Sequence, residues 1–182
     1  MTNSGPDLAD AFTDHLRQLV MREDRAALAA LRRGLGKPPG RAAEMFPYLV
    51  PWVRPGASPE EEGALYLVAS LVALHPEPVL QRGEGEPTNM GFSCAELRRR
   101  SESGSEETRF VALLNAERED LDHHLLRAVS LLRAHRVGWD WAQLIRDLGW
   151  WSNPNRRVQR AWARAYWARE ADAADAAVAA EE

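Results

Sequence analysis

The 182-residue chain holds one cysteine, one lysine and no long apolar run. A lone Cys94 excludes an internal disulfide framework and any zinc site built from several thiolates. The longest apolar stretch, Ala64 to Leu74, has 11 residues and is interrupted by Ser70. A membrane-crossing helix needs about 20 such residues, so no membrane partner is expected. The opening MTNSGPDLAD carries two Asp, and no Lys or Arg precedes Arg17. That is unlike a secretory signal, and a cytoplasmic location is expected. No HExxH and no carboxylate cluster at ligand spacing occurs, and the glycines of 83–91 lie in a Pro/Glu-rich loop rather than a phosphate loop. No metal and no cofactor are expected. Cys94 has no partner that would make it a nucleophile. Glu119 and Asp120 read as helix-start residues rather than an acid/base pair. With no catalytic constellation, the chain is not expected to be an enzyme.

What is present in quantity is arginine, 22 of the 23 basic residues. Its planar guanidinium suits phosphate and base-face contacts better than an ammonium does, although GC-rich coding accounts for the same bias. The net charge of −4 hides an uneven distribution. Residues 98–170 hold 14 Arg and 10 acids, whereas 171–182 hold four acids and no base. Arg32, Arg33, Lys37 and Arg41 form a second basic segment with no acid among them. An acidic overall balance therefore does not exclude nucleic acid, because local patches decide binding.

Periodicity is helical throughout, and no alternating strand pattern occurs. Leu8, Phe12, Leu16, Leu19 and Val20 share one helical face. Asp24 is placed to cap a helix from Arg25 to about Leu35. A short helix is expected over 41–46, before Pro47, Pro51 and Pro55. Ser58, Pro59 and Glu61 spell a capping box with proline at the first helical position. The helix that follows is apolar on most sides and so belongs at the centre of its bundle. Residues 76–91 read as loop, then helices are expected at Ser93–Arg100, after a Ser105 cap, at about Asp120–His135, after an Asp140 cap, and from near Pro154 to about Glu170. The fold expectation is all-α, a helical bundle protein with an N-terminal helical part (1–100), a C-terminal bundle (101–170) and an acidic tail without structure (171–182).

Six of the seven Trp lie from Trp139 onward. Trp141 shares a face with Leu144, Ile145 and Leu148, and Trp162 with Val158, Ala165 and Tyr166, so both are expected in the core. Adjacent Trp150 and Trp151 cannot share one helical face, so one of them belongs at an edge, where it could stack on a base or meet a partner. Arg156, Arg160 and Arg164 are spaced four apart and form a stripe, flanked by Arg157. No acid interrupts Arg156 to Arg169. The stripe reads either as a phosphate-binding ridge or as a solvated face. Arg98, Arg99 and Arg100 end a helix, where the dipole suffices to explain them. His123 and His124 point to different faces and do not suggest a metal.

The stretch from Ser103 to Trp167 carries a more specific signal. Its elements are Arg109-Phe110 with Leu113-Leu114, Leu131-Leu132, Asp140-Trp141 with Leu144 and Asp147-Leu148, Trp150-Trp151, the turn at Arg156-Arg157 and the Trp162-Ala163 helix. In this order and spacing they resemble the CasB family, the small subunit of the type I-E CRISPR Cascade complex. A looser similarity covers Ala30 to Gly34, the segment with Phe46, Pro47 and Tyr48, and Gly91-Phe92-Ser93, so that most of 24–167 is included. The resemblance implies an all-helical, non-enzymatic protein that acts as two copies within a larger ribonucleoprotein. It implies other Cascade subunits, the guide RNA and target DNA as partners, with a basic surface that stabilises the R-loop and its displaced strand. It also implies roles in nucleic-acid binding for Arg118 and Arg127, which pattern alone does not single out, and supports Arg156, Arg157, Arg32 and Arg33.

The candidate nucleic-acid-binding set is thus Arg32, Arg33, Lys37, Arg41, Arg118, Arg127, Arg156, Arg157, Arg160 and Arg164. Two rival readings remain at this point. One is a helical protein–protein adaptor whose arginines meet acidic partners. The other is a free-standing DNA-binding regulator, although no helix-turn-helix spacing or zinc finger is evident.

Overall fold

A computed structural model describes residues 7–75, 89–101 and 103–179, with the side chains of the last helix as far as residue 168. The described residues form nine α-helices and no strand: α1 (Leu8–Met21), α2 (Arg25–Arg32), α3 (Phe46–Leu49), α4 (Pro59–Leu74), α5 (Met90–Arg100), α6 (Glu106–Asn115), α7 (Leu121–Ala134), α8 (Trp141–Leu148) and α9 (Arg157–Ala179). The all-α expectation holds. By packing, the chain forms two compact units, each discontinuous in sequence. One comprises residues 1–78 and 141–152, the other 79–140 and 153–182. Packing therefore groups residues differently from the expected parts 1–100 and 101–170. The short helix α8 joins the first unit by packing on α4 and α1, while α5 joins the second by packing on α9, α6 and α7.

The first unit is organised around α4. Ser58 Oγ accepts from the Glu61 amide at 3.2 Å and Glu61 Oε2 accepts from the Ser58 amide at 2.8 Å, which completes the capping box. Ten of the sixteen residues of α4 are buried, so the helix has no solvated face of any width and sits between α2 and α8. Asp24 caps α2 by accepting from the Ala27 amide at 2.9 Å. The helix stops at Arg32, earlier than expected, and the chain turns through Gly34. A Cβ there would lie 2.1 Å from Met45 Sδ and 2.9 Å from Ser70 Oγ, so the Met45 side chain would have to move to admit one. Phe12, Leu16, Leu31, Met45, Leu49 and Leu71 fill this core. Arg146 on α8 reaches Asp7 at 2.6 Å and Asp10 at 2.5 Å, which ties α8 to the start of α1.

The second unit has α5 and α9 as its central pair. Helix α5 begins at Met90, three residues before the expected start, because Asn89 caps it by accepting from the Phe92 amide at 3.2 Å. Gly91 is consequently helical rather than part of the loop. Phe110 stacks on Tyr166 with centroids 4.1 Å apart and planes inclined by 14°. Leu113, Leu121, Leu125, Leu132 and Trp162 complete the core. Ser105 occupies the residue before α6 but does not cap it; its hydroxyl lies 2.7 Å from that of Ser103 instead. The last helix runs to Ala179, so most of the tail expected to lack structure has helical backbone, in keeping with the high helix propensity of its Ala-rich sequence. Residues 180–182 and most of the expected loop, 76–88, lie outside the described residues.

Candidate nucleic-acid interface

The tryptophans divide as side-chain volume demands. Trp141 and Trp162 are buried, as are Trp139 and Trp151, while Trp150 is 61% exposed. Base stacking on the first four is thereby excluded in this fold, and Trp150 is the edge residue of the adjacent pair.

The ten candidate cations fall into two groups. In the first unit, Arg32 is exposed in part, but its Nε donates to the carbonyl of Ala73 at 2.7 Å. That bond satisfies one of the last-turn carbonyls of α4, which have no intrahelical partner. Arg33 pairs with Glu44 at 3.3 Å on the surface. Backbone hydrogen bonding at Glu44, outweighing its slight desolvation, and the nearby charges of Arg33 and Lys37 hold that carboxyl below its usual value. Lys37 and Arg41 are exposed on the turn that follows. The four cations thus share one segment, with Arg32 acting as a clamp and Arg33 partly neutralised.

In the second unit, Arg118 is half-buried between α6 and α7, and Arg127 is exposed on α7. The stripe expected at Arg156, Arg160 and Arg164 requires a correction. Helix α9 begins at Arg157, and Arg156 precedes it with a positive φ of 49°. Its carbonyl accepts the first helical bond, from the Arg160 amide at 2.9 Å. Its guanidinium turns back to donate to the carbonyl of Leu114. The stripe on the helix is therefore Arg157, Arg160 and Arg164, at spacings of three and four, which place the three on one face. All three are exposed, while Val158, Trp162 and Tyr166 bury the opposite face. Among the described residues, none of the three makes an ion pair or a side-chain hydrogen bond. The arginines at the end of α5 differ: Arg98 pairs with Glu107 at 3.1 Å, Arg99 and Arg100 both pair with Glu96, and Arg100 also donates to the carbonyl of Arg136. A surface of unneutralised guanidiniums thus lies along α9, with phosphate as the chemistry it suits.

Sequence reasoning passed over Arg109, exposed on α6 with its guanidinium 3.5 Å from Glu106. The signal was available in the three-residue spacing, but Glu106 reads as an ordinary acid in a first helical turn. No described helix is long and apolar enough to cross a membrane, and no group of three or more His, Cys, Asp or Glu converges among the described residues.

Comparison with known proteins bears on the same residues. The family described as CRISPR-associated protein Cse2 matches residues 27–167. A CRISPR-associated protein Cse2 of Thermus thermophilus is 36% identical over 160 residues, which is 87% of this chain and 89% of that protein. The crystal structure of a Cse2-family protein from that organism superposes with a TM-score of 0.73, covering 88% of this chain and 97% of its own. The crystal structure of M. ruber CasB, 31% identical, gives 0.75 over 93% and 97%. A chain within a CRISPR RNA-guided surveillance complex, also 31% identical, gives 0.78 with the same coverage. The matched segment contains the 103–167 stretch whose order of Arg, Leu and Trp elements carried the resemblance, together with the more loosely similar residues before it, and the chain belongs to the Cse2 (CasB) family.

Proposed function

We propose that this protein is a non-catalytic small subunit of a type I-E CRISPR Cascade ribonucleoprotein. In this role it holds nucleic-acid backbone without reading sequence, and stabilises the R-loop and its displaced DNA strand. Its partners are the other Cascade subunits, the guide RNA, target DNA and a second copy of itself, in the cytoplasm. The observation that carries the reading is the exposed face of α9 with Arg157, Arg160 and Arg164, none neutralised among the described residues. The relative found in a CRISPR RNA-guided surveillance complex supports the assembly part of it.

The energetics suit such a surface. Exchange of a DNA duplex for an RNA–DNA heteroduplex is nearly balanced, so a few backbone contacts suffice to tip it. Each phosphate neutralised releases counterions, which makes binding steeply salt-dependent and indifferent to sequence. Arg127 on α7, with Lys37 and Arg41 in the first unit, adds further exposed cations. Arg32, Arg33, Arg118 and Arg156 remain in the proposed set, with Arg32 and Arg156 also anchoring backbone carbonyls.

The test is co-purification of tagged protein with the guide-RNA-bearing backbone of a type I-E complex from the same source, with and without the RNA. Stable, RNA-dependent incorporation and a slower collapse of the R-loop are expected. Separate elution of the chain and the backbone would overturn the reading in favour of an adaptor or regulator.

A further inference from the structure

Among the described residues, Phe46 and Trp150 are the Phe, Tyr and Trp rings that stand exposed, both in the first unit. Their surroundings differ in charge. Trp150 borders a groove lined in part by Asp7 and Glu61, and the cations there, Arg146 and Arg54, are already held by those carboxylates at 2.6 Å each. Phe46 instead follows the basic segment 32–41. Arg33 is paired with Glu44, but Lys37 and Arg41 are exposed and make no ion pair or side-chain hydrogen bond among the described residues. The charge of Lys37 is felt at the Glu44 carboxyl, two residues before Phe46, so cation and ring share one neighbourhood. A tight turn, closed by the Met45 amide on the Ala42 carbonyl at 3.0 Å, lies between Arg41 and the ring. Arg33, Lys37 and Arg41 against the single carboxylate of Glu44 leave this neighbourhood cationic.

The ring belongs to an apolar ridge on α3 and the turn that follows it. Phe46 and Val50, four residues apart and so on one helical face, are 38% and 56% exposed, and Pro47 and Pro51 beside them are exposed as well. Met45 and Leu49, both fully buried, pin the ridge from beneath. The prolines have fixed φ, so the ridge is rigid before anything docks, which lowers the entropic cost of docking. Neighbouring apolar residues left open in this way and rimmed by charge mark a contact site. The cationic rim selects an anion. An exposed ring beside cations is the arrangement that holds single strands, because phosphates are neutralised while any unstacked base can lie on the ring. A duplex keeps its bases stacked inside and offers no face to Phe46. We propose that residues 37–51 form a further single-strand site, in which one base stacks on Phe46, Val50 supports the adjoining nucleotide, and Lys37 and Arg41 hold the flanking phosphates. The inference rests on the strand-holding part of the proposed function and adds a stacking residue to its cations.

Fluorescence anisotropy of the full chain with a short labelled deoxythymidine homopolymer, and with a deoxyadenosine–deoxythymidine duplex of equal length, tests it. Phe46→Ala should weaken strand binding about tenfold, as loss of one base–aromatic stack does, and leave the logarithmic salt slope unchanged because no phosphate contact is lost. Phe46→Trp should restore the affinity, since the larger ring keeps a stacking face. Duplex binding should be the same in all three proteins. Lys37→Ala together with Arg41→Ala should make the slope of strand binding shallower by about 1.4, at about 0.7 for each phosphate. Trp150→Ala should bind the strand as the wild type does. Unchanged strand affinity in Phe46→Ala would overturn the stacking site and leave the α9 stripe and the strand-holding function standing. Unchanged affinity combined with failure to join the Cascade backbone would assign the ridge to a protein neighbour instead. A loss that Phe46→Trp does not restore, or that the duplex shares, would make Phe46 a packing residue. No strand binding by the wild type at low salt would overturn the strand-holding function and this site together.

Discussion

A Cβ placed on Gly91 would lie 2.0 Å from the backbone carbonyl oxygen of Trp162. Helix α5 thus passes α9 so closely that backbone meets backbone, and no methyl group can be inserted. The neighbour is a main-chain atom, which cannot swing aside as a side-chain tip does. Gly91→Ala is expected to lower unfolding stability by at least about 1–3 kcal/mol, the usual cost of overpacking. Urea melts followed by circular dichroism would measure it; an unchanged midpoint would show that the two helices part easily.

Trp150 and Trp162 should respond in opposite ways to the same replacement. Trp162 is fully buried, and Trp162→Ala should cost about 3–5 kcal/mol. Trp150 is exposed, and Trp150→Ala should stay within about 0.5 kcal/mol. Thermal melts of the two variants side by side give the comparison.

Replacing Arg157, Arg160 and Arg164 together by Ala should leave helicity unchanged, because all three are exposed. The logarithmic salt slope of single-strand binding should become shallower by about 2, at about 0.7 for each phosphate no longer neutralised. Titrations at several salt concentrations would read this. An unchanged slope would make the stripe an ordinary solvated face. Arg156→Ala should instead cost stability as well, since its guanidinium holds the Leu114 carbonyl.

Acid should loosen the first unit in a defined way. The hydrogen bond from Arg146, outweighing desolvation, together with the Arg146 charge, keeps the Asp7 carboxyl below its ordinary value of 3.8. The bond from the Ser58 amide does the same for Glu61, whose ordinary value is 4.5. A carboxyl more acidic in the folded than in the unfolded chain stabilises fully above its ordinary value, and that contribution is lost as pH falls through the lower folded value. The melting temperature of Asp7→Asn should therefore lie below that of the wild type at pH 7, and the gap should close below about pH 3.8. A gap that stays constant on acidification would show that the Asp7 charge is not involved.

Much of the architecture could be read from local rules. Asp24 and Ser58 start helices where their side chains predict, and the near-continuous apolar surface of α4 announced a central position. The adjacent pair at 150 and 151 had to split between core and surface, and it does. Features that depend on distant partners were not legible. Asn89 was the one local mark that Gly91 is helical, but its close approach to the Trp162 backbone could not be read from its neighbours. Arg156 fits the four-residue stripe by spacing alone, yet its positive φ and its bond to Leu114, 42 residues away, take it off the helix. Arg32 reads as free basic surface until the end of α4 is seen beside it. Glu106 looks like any acid in a first helical turn, and only its burial distinguishes it.

The discontinuous packing of the chain has a consequence for synthesis on the ribosome. The unit built on α4 lacks α8 until residue 148 has left the exit tunnel, and the unit built on α5 lacks α9 until the residues from Arg157 onward have followed. A nascent chain of 140 residues has neither unit complete, and exposes the faces of α1 and α4 that α8 will cover, together with the face of α5 that awaits α9. Neither unit can therefore close before the segment from Trp141 onward is made, and a premature stop anywhere before Trp141 leaves both of them incomplete.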